Sequence, residues 1–330
     1  MTRLSRIARC LLLSAPCLLP VFAATPNIIF IMADDLGYGD LGCFGQKRIR
    51  TPNIDRLTAE GMKLTDFYAG STVCAPSRCV LMTGLHTGHC FIRGNGKINL
   101  RPDDVTIAEV LKQAGYTCGL SGKWGLGHEN SSGLPTRQGF DHFFGTVCCP
   151  TTDWLYAYMN GDRIPVPPTK QVDKSTLPTH EWSFDCRPGL IAPGFDLEEV
   201  DMVFLEKSLQ FLDNHAKKIP KKPFFLFHSL QAVHLPSFPG HEFQGKTDAG
   251  PHGDFIFEFD YVVGKLLKKL DELELSENTL VIVSSDNGPE VGTVLNMREK
   301  HEHDGARPWR GMKRDNWEGG HRVPMVARWP

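Results

Sequence analysis

Two nearly continuous apolar runs, each emptying into a pair of oxygen-bearing side chains, constrain the fold of this chain most. Asn27-Ile28-Ile29-Phe30-Ile31-Met32 leads to Asp34-Asp35, and Thr279-Leu280-Val281-Ile282-Val283-Ser284 leads to Asp286-Asn287. A strand buried on both faces reads this way, and its carboxyl end opens on a polar site. Pro223-Phe224-Phe225-Leu226-Phe227-His228 is a further run of this kind, and Thr117 to Ser121 is a shorter one running into Gly122-Lys123. Helical patterns separate them. Thr51-Pro52 to Glu60 is stopped by Gly61, and Val105, Ile107, Val110, Leu111 and Ala114 are stopped by Gly115. Apolar spacing over Leu197 to Lys217 and over Phe255 to Leu273 predicts two more helices, and a last strand is expected from Val323 to Trp329. Strands alternating with helices imply an α/β fold: a mostly parallel central sheet with helices on both faces.

At 330 residues and 41% hydrophobic content, the chain supplies a large core. Residues 150–193 break the rhythm, being rich in Pro, Trp, Tyr and Asp without a period, and are predicted to be an insertion over the active face that shapes substrate choice. Arg3, Arg6 and Arg9 precede the apolar run Cys10 to Phe22, and Val21-Phe22-Ala23 offers a cleavage site after Ala23. Residues 1–23 therefore read as a signal peptide, and residues 24–330 as the exported domain. The apolar run is short for a span and contains Pro16 and Pro20, so no stable membrane anchor is expected. A formal net charge of -2 gives no reason to expect a nucleic-acid partner.

Asp34, Asp35, Asp286 and Asn287 follow strands that end on one edge of a parallel sheet, so they can converge. Oxygen donors without histidine or thiolate favour Ca²⁺ or Mg²⁺ over zinc. Either pair alone is equally well explained as the turn after a strand, where Asp is favoured. The other motif is Cys74-Ala75-Pro76-Ser77-Arg78-Cys79-Val80-Leu81-Met82-Thr83-Gly84. Pro76 and Ser77 can open a helix, which puts Cys74 just before its start, where free N–H groups and the dipole favour an anion. Arg78 returns to the same end one turn later. This arrangement suits nucleophilic attack on a sulfate or phosphate ester, and a buried inert thiol is the competing reading.

Together these segments resemble the type I sulfatases, nearest the arylsulfatase A and N-acetylgalactosamine-6-sulfatase type within the alkaline phosphatase superfamily. The Cys74 run matches the family's Cys-x-Pro-Ser-Arg-x-x-Leu-x-Thr-Gly signature, and Gly115-Tyr116-Thr117 through Ser121-Gly122-Lys123-Trp124 matches its second signature. Ala232-Val233-His234-Leu235-Pro236, Arg310-Gly311-Met312-Lys313 and Glu318-Gly319-Gly320 follow in family order. The resemblance implies that Cys74 is oxidised to Cα-formylglycine by a sulfatase-maturing enzyme. Asp34, Asp35, Asp286 and Asn287 then hold a Ca²⁺ with residue 74, while Arg78, Lys123 and Lys313 balance charge. His234 protonates the leaving oxygen, and the whole is a sulfuric ester hydrolase acting on a sulfated saccharide or small molecule. Export implies a periplasmic, secreted or lysosomal location according to the source.

Two departures stand out. The family's Trp-His-Leu-Gly is Trp124-Gly125-Leu126-Gly127 here, leaving His128 as a substitute for the missing histidine. The chain ends at Trp329-Pro330, so a smaller C-terminal subdomain is expected to be largely absent. The alternatives are a phosphate or phosphonate ester hydrolase of the same superfamily, and an inactive secreted carbohydrate-binding relative. His228 within its strand reads as structural. The His301-Glu302-His303 run reads as a charged loop or, less simply, as a substrate contact. Trp154, Tyr156, Tyr158 and Trp182 are candidates for stacking on sugar rings or for plain packing.

Overall fold

The computed structural model describes residues 25–149, 155–177 and 186–330. The signal segment and two of the loop aromatics, Trp154 and Trp182, lie outside those residues. In chain order the elements are β1 (Asn27–Ala33), α1 (Pro52–Ala59), β2 (Met62–Leu64), α2 (Cys74–Thr83), α3 (Ile107–Gln113), β3 (Thr117–Lys123) and β4 (His142–Thr146). The short strands β5 (Leu155–Tyr156), β6 (Met159–Asn160), β7 (Lys170–Gln171) and β8 (Leu190–Ile191) follow. Then come α4 (Val200–Lys218), β9 (Phe224–Ser229), α5 (Gly250–Glu272), β10 (Thr279–Ser285), α6 (Val291–His301), α7 (Glu318–His321) and β11 (Met325–Arg328).

The main sheet has the order β2-β11-β10-β1-β9-β3-β4-β6. Its centre, β10-β1-β9-β3-β4, is parallel throughout, and β11, β2 and β6 add antiparallel edges. Alternation along β1 explains why the strand is apolar on both faces. Ile29, Ile31 and Ala33 pack with α1 and α5 on one side, whereas Phe30 and Met32 pack with α2 and α3 on the other. Each of the Ile, Phe and Met side chains contributes roughly 1.5–3 kcal/mol by leaving water. The α/β sheet with helices on both faces is the expected one. Among the described residues, no helix is long and apolar enough to cross a membrane.

Several boundaries move. α2 begins at Cys74 itself, because Val73 is extended (φ −145°, ψ 157°) and a proline in the first turn costs no hydrogen bond. Cys74 is therefore the first helical residue rather than the one before the helix. α5 starts at Gly250, five residues ahead of Phe255. Glu318-Gly319-Gly320 forms the short helix α7 before β11.

The described part of 150–193 contributes a small sheet, β5-β8-β7, and places Arg187 on the wall of the main cavity. Tyr156 is buried, and its hydroxyl donates to the Arg187 carbonyl at 2.5 Å. Tyr158 packs on Phe195 and Phe144, with ring centroids 4.6 and 5.3 Å away. Neither tyrosine offers a face to a sugar. Cys43, Cys74, Cys79, Cys90 and Cys118 are free thiols.

Candidate active site

Parallel pairing of β1 with β10 sets Ala33 opposite Ser285, so the residues that follow emerge side by side. Asp286 N donates to Ala33 O at 3.2 Å, and Asp35 N donates to Asp286 Oδ1 at 3.2 Å. Asp35 adopts φ 65°, a left-handed conformation that aspartate tolerates better than most residues. Asn287 Nδ2 donates to Asp35 Oδ1 at 2.7 Å and to Gly288 O at 2.8 Å. Four oxygen-bearing side chains from opposite ends of the chain, all 0–1% exposed, thus meet at one sheet edge.

The helix carrying residue 74 is locked to this cluster through Arg78. Its Nε donates to Asp286 Oδ2 at 2.8 Å, and its Nη1 donates to Ser229 Oγ at 2.7 Å and to Lys123 O at 3.0 Å. Lys123, the last residue of β3, donates through Nζ to Asp34 Oδ2. The strand position before it requires glycine: Gly122 has φ 124°, and a Cβ there would lie 1.8 Å from Ser229 O. Lys313 Nζ donates to Asp35 Oδ2 at 2.6 Å and lies 3.7 Å from Glu290 Oε2. His234 Nε2 is 3.6 Å from Asp35 Oδ2. Its segment is held by the buried Asp201, which accepts from Gln231 N and Ala232 N at 2.7 and 2.8 Å.

Three buried carboxylates therefore face three buried cations, and the balance explains the titration of each. Burial pushes the Asp34 carboxyl up, but Lys123, His234, Arg78 and Lys313 outweigh it and hold the group well below the usual range. Asp35 is likewise lowered, burial being overcome by Lys313 and His234. Asp286 goes the other way, to about 7, because burial and the Asp34 charge exceed what Arg78 and Lys123 return. Burial would lower Lys123 and Lys313, yet Asp34 and Asp35 respectively keep both raised and charged. His234 is lowered by burial, partly offset by Asp35.

The donor set fits a hard divalent cation. Asn287 Oδ1 and Asp34 Oδ1 are buried without a hydrogen-bond partner, so each keeps an unused lone pair. Ligand atoms of Asp34, Cys74 and Asp286 lie within 4.8 Å of one another. Carboxylate and amide oxygens of this kind suit Ca²⁺ or Mg²⁺.

These groups open into a cavity of about 540 Å³ lined by Cys74, Arg78, Lys123, His234 and Lys313 among others. All five expected catalytic side chains thus share one space beside the four expected ligands. Gly125 and His128 also line it, so His128 stands on the wall from which Gly125 contributes no side chain. Among the described residues, the other histidines do not line this cavity. His228 is buried against Ser208 Oγ at 2.8 Å, and His303 is buried against Asp40 Oδ1 at 2.8 Å. His301 ends α6. The His-Glu-His run is therefore the end of a helix and a buried hydrogen-bonded pair, not a substrate contact.

Comparison with known proteins agrees with this geometry. The family model described as Sulfatase matches residues 26–330. The chain belongs to the sulfatase family. An N-acetylgalactosamine-6-O-sulfatase of Bacteroides thetaiotaomicron is 32% identical over 92% of this sulfatase chain and 68% of its own length. Human arylsulfatase A is 35% identical over 93% of the chain and 60% of its own. Across the curated relatives named and the related mammalian enzymes, the chain spans 57% to 68% of their length. A solved Bacteroides thetaiotaomicron structure, titled for the metabolism of multiple glycosaminoglycans, superposes with a TM-score of 0.80 at 28% identity, covering 93% of this chain and 72% of that one.

Sequence reasoning missed several members of this sulfatase site. Ser229 anchors Arg78, Glu290 pairs with both Lys313 and Arg314, Cys149 lines the cavity, and Asn95 touches residue 74. Ser229 had a usable signal, since it ends a buried strand. Asn95 sits in Gly94-Asn95-Gly96, which reads only as a turn.

Proposed function

We propose that this chain hydrolyses sulfate esters of a sulfated carbohydrate through Cys74 converted to Cα-formylglycine beside a bound Ca²⁺. The observation that carries the reading is the shared cavity, in which residue 74 lies with Arg78, Lys123, His234 and Lys313 above the Asp34, Asp35, Asp286 and Asn287 oxygens. Sulfuryl transfer needs positioning and concentrated positive charge more than any other aid.

Asp34, Asp35, Asp286, Asn287 and residue 74 would hold the cation, which when bound supplies a fixed charge that polarises the oxygens at residue 74 and on the ester. Arg78 fixes the helix that presents residue 74, through its bonds to Asp286, Ser229 and the Lys123 carbonyl. Lys123 and Lys313 bind non-bridging sulfate oxygens, each held in place by a carboxylate. His234 holds the proton that goes to the departing alcohol oxygen, a role suited to imidazole near neutrality. Lys97 and Arg187 also line the cavity, and Arg314 lines it paired with Glu290.

The printed names of the relatives above support a sulfated amino sugar or glycosaminoglycan fragment as the substrate class. A maturing enzyme that oxidises Cys74 is the implied partner, and export from the cytoplasm is part of the same reading. Side-by-side turnover of 4-nitrophenyl sulfate, 4-nitrophenyl phosphate and 6-sulfated N-acetylgalactosamine tests it. Sulfate turnover exceeding phosphate turnover supports the sulfatase, the reverse order supports a phosphoester hydrolase, and no turnover by fully converted protein supports the binding relative.

A further inference from the structure

Residue 74 opens α2 at its first turn, where backbone N–H groups lack partners within the helix. Val73, at the capping position, is apolar and makes no side-chain cap. The cap comes instead from a loop twenty-one residues on: Asn95 Oδ1 accepts from Ala75 N at 3.1 Å. That bond fixes the plane of the Asn95 amide, and its other end then faces the nucleophile. Asn95 Nδ2 lies 3.4 Å from Cys74 Sγ, and the thiol in turn reaches Oδ1 at 3.6 Å. Across the cavity Gly125 presents no side chain, and a Cβ built there would meet only Arg78 Cδ at 3.4 Å.

We propose that Asn95 is a positioning residue for residue 74: through one amide it caps the helix start and holds the reactive side chain in its attacking rotamer. The inference rests on the sulfatase reading for its kinetic part. An amide that both donates and accepts suits a hydrated aldehyde, whose two hydroxyls each offer a donor and an acceptor. Asn95 takes no proton in the reaction, because a neutral amide has no basic site near neutral pH. It acts through orientation, which is worth most when the reacting atoms must align in line.

The test uses Asn95→Ala and Asn95→Asp in two preparations of the whole chain. In converted enzyme, with conversion at residue 74 checked by peptide mass spectrometry, Asn95→Ala is expected to lower kcat on 4-nitrophenyl sulfate about tenfold while KM changes less than about twofold. Asn95→Asp keeps the acceptor for Ala75 N, so it is expected to recover thermal stability without recovering kcat. In protein produced without conversion, the rate of Cys74 alkylation by iodoacetamide is expected to change severalfold in both variants.

A kcat equal to wild type in Asn95→Ala, recovery of kcat in Asn95→Asp, or an unchanged alkylation rate would each overturn the proposal. Absence of sulfate turnover by converted wild-type enzyme overturns the sulfatase reading instead. The alkylation arm then still decides the role of Asn95.

Discussion

Arg78 Nε donates to Asp286 Oδ2 across 2.8 Å, both groups essentially inaccessible, and this single bond ties the start of α2 to the end of β10. The contact brings together residues 208 positions apart, so residue 74 and the buried oxygen cluster are placed by the same interaction. Removing the guanidinium leaves a buried carboxylate without its main partner, which typically costs about 3–5 kcal/mol. Arg78→Ala is therefore expected to lower the urea midpoint strongly and to abolish activity. Arg78→Lys keeps the charge but cannot bond Asp286, Ser229 and the Lys123 carbonyl at once, and is expected to retain partial stability with at least about hundredfold lower kcat. Equal stability of Arg78→Ala and wild type in equilibrium denaturation would contradict this account of the pair.

The unpartnered oxygens of Asn287 and Asp34 imply that the folded chain gains stability from a divalent cation. Chelation is expected to lower the melting temperature and the activity together, with Ca²⁺ restoring both and Mg²⁺ restoring less. Asn287→Leu fills similar volume without an oxygen, and is expected to abolish the Ca²⁺-dependent shift. A melting temperature indifferent to chelator and calcium in wild type would rule out the cation site.

Lys313 and Lys123 are predicted to differ from surface lysines because each is buried against a carboxylate. Lys313→Ala removes a charge from the cavity and takes away the lysine that bonds Asp35. Loss of one such preorganised donor costs roughly 10²–10³ in kcat. Steady-state kinetics on a sulfate ester check this, and a loss below about threefold would mean that Lys313 does not meet the substrate.

His228 supplies a pH dependence that is independent of the active site. Burial in β9 lowers its imidazole to about 3 from an ordinary 6.5. The unfolded chain thus binds a proton near pH 6.5 that the folded chain refuses, so the histidine's contribution is fully present above about pH 6.5 and is lost as pH falls toward about 3. Each unit of separation corresponds to about 1.4 kcal/mol, which makes the total on the order of several kcal/mol. Denaturation midpoints measured from pH 7 down to 4 should fall more steeply for wild type than for His228→Gln, in which Ser208 retains a polar neighbour. Parallel slopes would remove His228 as the cause.

Much of the sheet was legible because β1, β9 and β10 are buried on both faces, and such strands can be written only as continuous apolar runs. The convergence of the four oxygen-bearing side chains was legible for the same reason, since Asp34-Asp35 and Asp286-Asn287 sit where those runs stop. The start of α2 was less so, because Pro76 marks a permitted first-turn position rather than the first residue. Asn95 and Glu290 could not be read at all. Their roles arise from loops folded back over long sequence separations, and neither Gly-Asn-Gly nor Pro-Glu encodes which helix the side chain will meet. His303 shows the converse: a suggestive His-Glu-His spacing is used up by a buried pair with Asp40.

The most direct measurement of the central claim correlates turnover with the chemical state of residue 74. Preparations of the whole chain with graded conversion, made by varying the supply of a maturing enzyme, are assayed on a sulfated saccharide. The residue-74 peptide is quantified by mass spectrometry in each. The account predicts activity proportional to the aldehyde fraction and reaching zero with the unmodified thiol. Full activity in thiol protein, or none in fully converted calcium-loaded protein, would contradict it.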